Sequence, residues 1–312
     1  MIVVGGENLI DLIEESGAPG APLYRAAVGG SPLNTAKAAA RQDVPVGYLT
    51  PVSSDTLGRL IAEDLRRDAV RVLAPASDRP TSLAVVSFND GQPAYQFYRE
   101  HTAERDVSEE GLAAALPDDT DVLYVGSLAL AGIEDGAAWT ELYQAASERG
   151  IFTALDPNVR PTFIRDRAAY LARLETLFSA SRLIKLSDED LGWLTGGAPP
   201  RDAAAAILAR SAAEVVILTQ GDAGAVGLLK GGGVVDVPAH PVPNLVDTVG
   251  AGDTFMGTIL AQARNGGLTS PGAFAAAEPA EVHRLLAIAA RAAAINCGRV
   301  GCNPPTAAEL FA

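Results

Sequence analysis

Asp247-Thr248-Val249-Gly250-Ala251-Gly252-Asp253-Thr254-Phe255 sets a carboxylate behind a turn of small residues and at the start of a helix. Phe255, Met256, Ile259 and Leu260 recur at helical spacing, so the Gly-Ala-Gly segment falls at a helix N-terminus. Backbone N–H groups there have no partner inside the helix, the dipole favours negative charge, and glycines admit close approach, which suits a phosphate. Asp253 then lies beside a bound phosphoryl group, where a carboxylate can take the proton of an attacking hydroxyl. The same residues also suit a plain loop with Asp253 as a helix cap. Neither G-x-x-x-x-G-K-[ST] nor G-x-G-x-x-G after a strand occurs, which removes two common ways of cradling a polyanion.

Such a site needs strands to aim it, and apolar runs alternate with helical patterns through most of the chain. Val122 to Val125 precedes a helix near Ala137 to Glu148, Ile151 to Leu155 one near Arg167 to Phe178, and Leu183 to Leu186 a third, with Val215 to Leu218 continuing the series. Continuous apolar strands separated by amphipathic helices predict a three-layer α/β/α fold on a mainly parallel sheet, with ligands at the carboxyl ends of the strands. Residues 10–28 and 82–99 break the pattern. The second reads as a hairpin, Leu83 to Phe88 and Tyr95 to Arg99 around Asn89-Asp90-Gly91, and neither segment brings a helix to cover it. Met1 to Gly6 reads as a first core strand, Gly231-Gly232-Gly233 as a hairpin turn, and Glu281 to Asn296 as a helix.

With 312 residues, 48% of them hydrophobic, the chain can bury a large core as a single domain with a small appendage. A net charge of −14 argues against nucleic acid or an anionic membrane as partner. Cys297, Cys302 and three scattered histidines supply neither a disulfide framework nor a zinc site, which favours a reducing cytoplasm, and no apolar stretch is long enough to span a bilayer.

The run ending in Asp253 resembles the second signature of the ribokinase-like, or PfkB, carbohydrate kinases, and Gly29-Gly30-Ser31-Pro32-Leu33-Asn34-Thr35-Ala36 resembles the first, in the family's order. The resemblance implies a ribokinase-like sheet with a β lid made by about 10–28 and 82–99. It also implies ATP and Mg²⁺ as cofactors, a small-molecule sugar as acceptor, and room for a homodimer through the lid. By resemblance Asp253 is the catalytic base, and the N–H groups of Gly250, Ala251, Gly252 and Asp253 form the anion hole. Asp11, Gly29, Gly30, Asn34 and Arg99 bind the sugar, and Arg160 meets sugar or phosphoryl oxygens. Leu218 to Gly224 resembles the family's nucleotide turn, so Thr219, Gly221 and Gly224, with Lys185, Gly252 and Asn296, are expected at the nucleotide. Asp190 stands where the family's N-x-x-E motif has its Glu, which implies a contact to Mg²⁺ through water; Ser187 stands at that motif's Asn. Asp247, Val249, Asn296, Arg299 and Gly301 match a monovalent-cation site, which makes K⁺ an expected activator. The strings Gly126 to Leu130, Asp156 to Pro161 and Lys185 to Leu191 are most similar to fructokinase-type members, and Phe97 favours a neutral sugar over 2-keto-3-deoxygluconate. A nucleoside kinase and a non-catalytic sugar-binding regulator on the same fold are the other readings.

Overall fold

A computed structural model describes residues 1–18, 21–89 and 92–312 of the chain. Its strands are β1 (Ile2–Gly5), β2 (Leu9–Ala18), β3 (Ala21–Gly29), β4 (Val46–Tyr48), β5 (Arg71–Val72), β6 (Leu83–Asn89), β7 (Gln92–Tyr98), β8 (Val122–Gly126), β9 (Phe152–Asp156), β10 (Leu183–Ser187), β11 (Val215–Thr219), β12 (Ala225–Leu229) and β13 (Val234–Val237). Nine of them form one sheet in the order β13-β12-β11-β10-β9-β8-β1-β4-β5. All pairs from β5 to β11 are parallel, and β12 and β13 add antiparallel at the edge.

The alternation of side chains along these strands explains the layers. Ile2, Val4, Val122, Tyr124, Phe152, Val215 and Ile217 enter one core, with the helices Ser31–Ala40, Thr56–Arg67, Ala251–Asn265 and Pro279–Cys297. Val3, Leu123, Val125, Leu155, Ile184, Val216 and Leu218 enter the other, with the helices Glu134–Glu148, Arg167–Ala180, Asp188–Thr195 and Pro200–Arg210. A strand wetted on neither side must be apolar at every position, which is why these runs lack polar alternation. The expected three-layer α/β/α arrangement is therefore observed. The expected helices begin or end within three residues of their predicted bounds, and Gly231 to Gly233 joins β12 to β13.

The remaining strands make a separate four-stranded sheet, β3-β2-β6-β7. β2 pairs antiparallel with β3 and parallel with β6, so the two segments without helices build one surface. Ile10 is fully buried at its base, whereas Leu23, Tyr24 and Tyr98 are exposed. Asp90 and Gly91, the expected turn of the second hairpin, lie outside the described residues. No helix among the described residues is long and apolar enough to cross a membrane.

Candidate active site

Asp253 is the third residue of the helix Ala251–Asn265, whose N-cap is Gly250 at φ 73°. A Cβ built on Gly250 would lie 2.3 Å from the Cys302 Sγ and 2.5 Å from its Cβ, so both conformation and space demand glycine there. The two sequence motifs meet on the Asp253 carboxylate: the Ser31 hydroxyl donates to Oδ1 at 2.7 Å and the Asn34 amide to Oδ2 at 2.9 Å. Gly257, one turn further along the same helix, lets this meeting happen, since a Cβ on it would lie 2.5 Å from the Thr35 carbonyl oxygen and 2.6 Å from the Ala38 Cβ. The helices that carry the two motifs thus touch through backbone.

Burial pushes the Asp253 carboxyl above its usual range, opposed by Ser31, Asn34, Lys185 and Arg160. Lys185 is buried and its ammonium lies 2.6 Å from Asp156 Oδ2. Burial works against its charge, but Asp156, Asp190 and Asp253 together hold the proton on it above the ordinary lysine value. Burial likewise pushes Asp156 up to about 6, with Lys185 opposing. Three carboxylates around one ammonium favour retention of positive charge. The Lys185 Nζ would be 3.7 Å from a Cβ on Gly252, which puts that charge beside the helix N-terminus.

Several expected residues gather here and others do not behave as expected. Asp11 faces Gly29, where a Cβ would lie 2.2 Å from its Oδ2, and burial raises its carboxyl to about 6. Gly30, at φ 119°, presses on the Glu7 carbonyl. Asn34 Oδ1 is buried with no hydrogen-bond partner, an acceptor that costs free energy until a donor meets it. Arg160 is exposed, with Nη1 on the carbonyls of Asn158 and Val159, and its charge bears on Asp253. Arg99, expected at the sugar, is 9% exposed and grips Glu104 through Nε at 2.8 Å and Nη2 at 3.0 Å, and lies over the Phe163 ring. Phe97 packs edge-on to the same ring, so Arg99 also braces the root of the small sheet. The Ala251 N–H also departs from the expected hole, because it closes a turn onto the Thr248 carbonyl at 3.2 Å.

Of the residues expected at a nucleotide, Thr219 ends β11, and the turn Gly221 to Gly224 is closed by Gln220 N–H donating to the Gly224 carbonyl at 2.8 Å. Asp190 accepts from the N–H groups of Val159 at 2.7 Å and Ser187 at 2.9 Å, so its first duty is to fasten β9 to β10. Asp247 accepts from Val249 and Gly301, each at 2.9 Å, while Asn296 donates to the Val249 carbonyl and accepts from Asn303. Arg299 donates to the carbonyls of Asn303 and Pro304 and to Glu309. These residues knit the C-terminal loop to the turn before Asp253. Among the described residues no three His, Cys, Asp or Glu side chains gather as a metal cage.

Three contributors escaped the sequence reading. Glu7 is buried, with its carboxyl raised to about 6 by burial against the pull of Arg99, and accepts from the N–H groups of Ser31 at 3.1 Å and Leu128 at 3.0 Å. Asn158, at φ 39°, donates to the Ser31 hydroxyl at 2.8 Å, and Ser31 itself touches Asp253. Ser127, just after β8, sits at φ 58°; such unfavourable backbone concentrates at functional sites.

A carboxylate held by two donors at a helix N-terminus, beside a buried ammonium and below a partly exposed second sheet, is equipped to pass a hydroxyl proton while a phosphoryl group is held. The sequence matches the pfkB family carbohydrate kinase profile over residues 1–309, and the chain belongs to that family. It is a carbohydrate kinase, a phosphotransferase with an alcohol group of a carbohydrate as acceptor. Among curated relatives, a fructokinase of Rhizobium leguminosarum bv. trifolii is 36% identical over 262 residues, covering 84% of this chain and 79% of that one. A fructokinase of Salmonella typhimurium is 29% identical, covering 84% of each. Among solved structures, the fructokinase of Xylella fastidiosa with bound ATP superposes with a TM-score of 0.85 at 22% identity, covering 99% of this chain and 96% of that one. A double mutant of the Vibrio cholerae O395 fructokinase with fructose, ADP and potassium bound gives a TM-score of 0.82 at 23% identity, over 99% and 96%. These two share the fold.

Proposed function

We propose that the chain is an ATP-dependent fructokinase that transfers the γ-phosphoryl group to the 6-hydroxyl of fructose. The observation that carries this reading is the junction of the two motifs on Asp253, with relatives named fructokinase across most of the chain. Asp253 takes the hydroxyl proton; the N–H groups of Gly250, Gly252 and Asp253, with Lys185 and Arg160 nearby, face the transferring group. Asn34 Oδ1 accepts from a sugar hydroxyl and Asp11, ionised at neutral pH, from others. Mg²⁺ would arrive with ATP and offset the charge of its phosphates, and Asp190, with a lone pair left on each oxygen, would hold it through water.

For K⁺, the Asp247 carboxylate and the carbonyls of the loop near Val249, Arg299 and Gly301 are of the right oxygen type. The four-stranded sheet is the lid, and its exposed Leu23, Tyr24 and Tyr98 are the surface of a homodimer, which sedimentation tests. Free thiols at Cys297 and Cys302 agree with a cytoplasmic setting.

Purified chain with ATP and Mg²⁺ should phosphorylate fructose much faster than 2-keto-3-deoxygluconate or a riboside at equal concentration. The reverse ranking leaves the kinase class and removes fructose; no ATP consumption with any sugar favours a binding protein. Arg160→Lys keeps the charge but loses the planar fork, so kcat should fall more than ATP affinity, and a normal kcat removes Arg160 from the mechanism.

A further inference from the structure

We propose that Ser31 is a positioning residue for Asp253, with Asn158 fixing the direction in which the Ser31 proton points. This rests on the reading of Asp253 as the base. The Ser31 hydroxyl carries one proton and two lone pairs. Asn158 Nδ2 donates to Oγ at 2.8 Å, so Oγ is the acceptor on that side and its own proton is free for the Asp253 Oδ1 at 2.7 Å. The hydroxyl is not employed in its own helix: the N-cap of Ser31–Ala40 is Gly30, without a side-chain cap, and it is the main-chain N–H of Ser31 that meets Glu7. Both partners of Oγ come from elsewhere, one from the end of β9 and one from the helix Ala251–Asn265.

This one-way chain keeps Asp253 an acceptor. Asn34 serves Oδ2, Ser31 serves Oδ1, and each oxygen retains a second lone pair for a substrate hydroxyl. The charged and titratable groups that bear on Asp253 are Lys185 and Arg160, which favour its anion, and Asp156, Tyr124 and Cys302, which share its field. Against burial, Ser31 is the first of the influences that hold the carboxyl down. Without its hydroxyl the carboxyl moves toward the neutral form, and a protonated Asp253 accepts nothing.

The test follows Asp253 itself. In protein labelled with ¹³C at aspartate carboxyls, the Asp253 signal is assigned by its loss in Asp253→Asn and titrated in wild type, Ser31→Ala and Ser31→Thr. Ser31→Ala should raise the midpoint by roughly one pH unit, the scale of one lost hydrogen bond to the charged form, and Ser31→Thr should restore it. The acid limb of kcat should move with the midpoint, while ATP affinity stays. An unmoved midpoint in Ser31→Ala overturns the proposal whatever the activity. If that variant fails to fold, Asn158→Ala is read the same way, with a smaller upward shift expected and no shift overturning it. A wild type that phosphorylates no sugar overturns the functional reading instead, and the titration still decides the role of Ser31.

Discussion

The large sheet and the small one are held in place by opposite means. β1, β8 and β9 are buried on both faces, so each Ile, Val, Leu and Phe in them contributes about 1.5–3 kcal/mol of apolar burial, and a register slip would cost many of these at once. The small sheet is buried mainly at its root, by Ile10 and the Arg99–Glu104 pair with Phe97 and Phe163, and wet at Leu23, Tyr24 and Tyr98. The difference separates two tasks. On the proposed function the deeply buried strands anchor the helix ends that carry Asp253 and its donors, whereas the small sheet, less deeply buried, is the part that closes on a sugar.

Four experiments press on that contrast. Asp253→Asn attacks the fixed side and should have the largest effect: kcat falls by roughly two orders of magnitude or more while fructose binding, measured calorimetrically, is nearly kept. A near wild-type rate would remove Asp253 as the base. Gly250→Ala comes next, because the new Cβ meets Cys302 and the backbone is left-handed; a loss of about 1–3 kcal/mol in stability is expected, with kcat lowered through the displaced anion hole. Normal denaturation and turnover would show that the hole yields freely.

Asp11→Asn attacks the moving side. KM for fructose should rise about tenfold or more, with kcat little changed, as one charge-assisted hydrogen bond is lost. Its carboxyl, raised to about 6 by burial, is neutral below that pH, so the wild-type KM should rise on acidification through about 6 and the variant's should not. The stability sign is the reverse of a salt-bridged aspartate. Because the folded value lies above the unfolded one near 4, stabilisation by Asp11 is full below the unfolded value and is lost as pH rises through about 6. A thermal midpoint of Asp11→Asn that gains on wild type between those values checks this; a constant difference contradicts it. The smallest effect is dynamic: fructose should slow amide exchange in β2, β6 and β7 several-fold and leave β1 and β8 alone. Equal change in both sheets would erase the contrast.

The strands and the helix behind Asp253 were legible because burial on both faces writes itself as uninterrupted apolar runs, and helical spacing marks Phe255 to Leu260. The small sheet was legible as the place where that code stops. What spacing does not carry is the partner of a side chain. Arg99 suited an anion and found Glu104, five residues on, which the sequence displayed without ranking it above a sugar. Glu7 follows β1, Asn158 follows β9 and Ser31 opens the helix after β3, so the parallel register of β1, β8 and β9 sets the first two side by side and the helix start after the small sheet brings Ser31 between them. Asp190 was expected near the metal because it stands at the Glu of the N-x-x-E motif; its oxygens meet the N–H groups of Val159, in the loop after β9, and of Ser187, in the capping box of its own helix.

Gly257, by letting the helices Ser31–Ala40 and Ala251–Asn265 touch, welds Asp253 to its donors Ser31 and Asn34. Under the proposed function Asn34 serves both the sugar and Asp253, so the grip and the proton transfer are tied together at that residue. A new acceptor alcohol is then best sought by altering β2, β6 and β7, which leaves Ser31 and Asn34 on the Asp253 carboxylate.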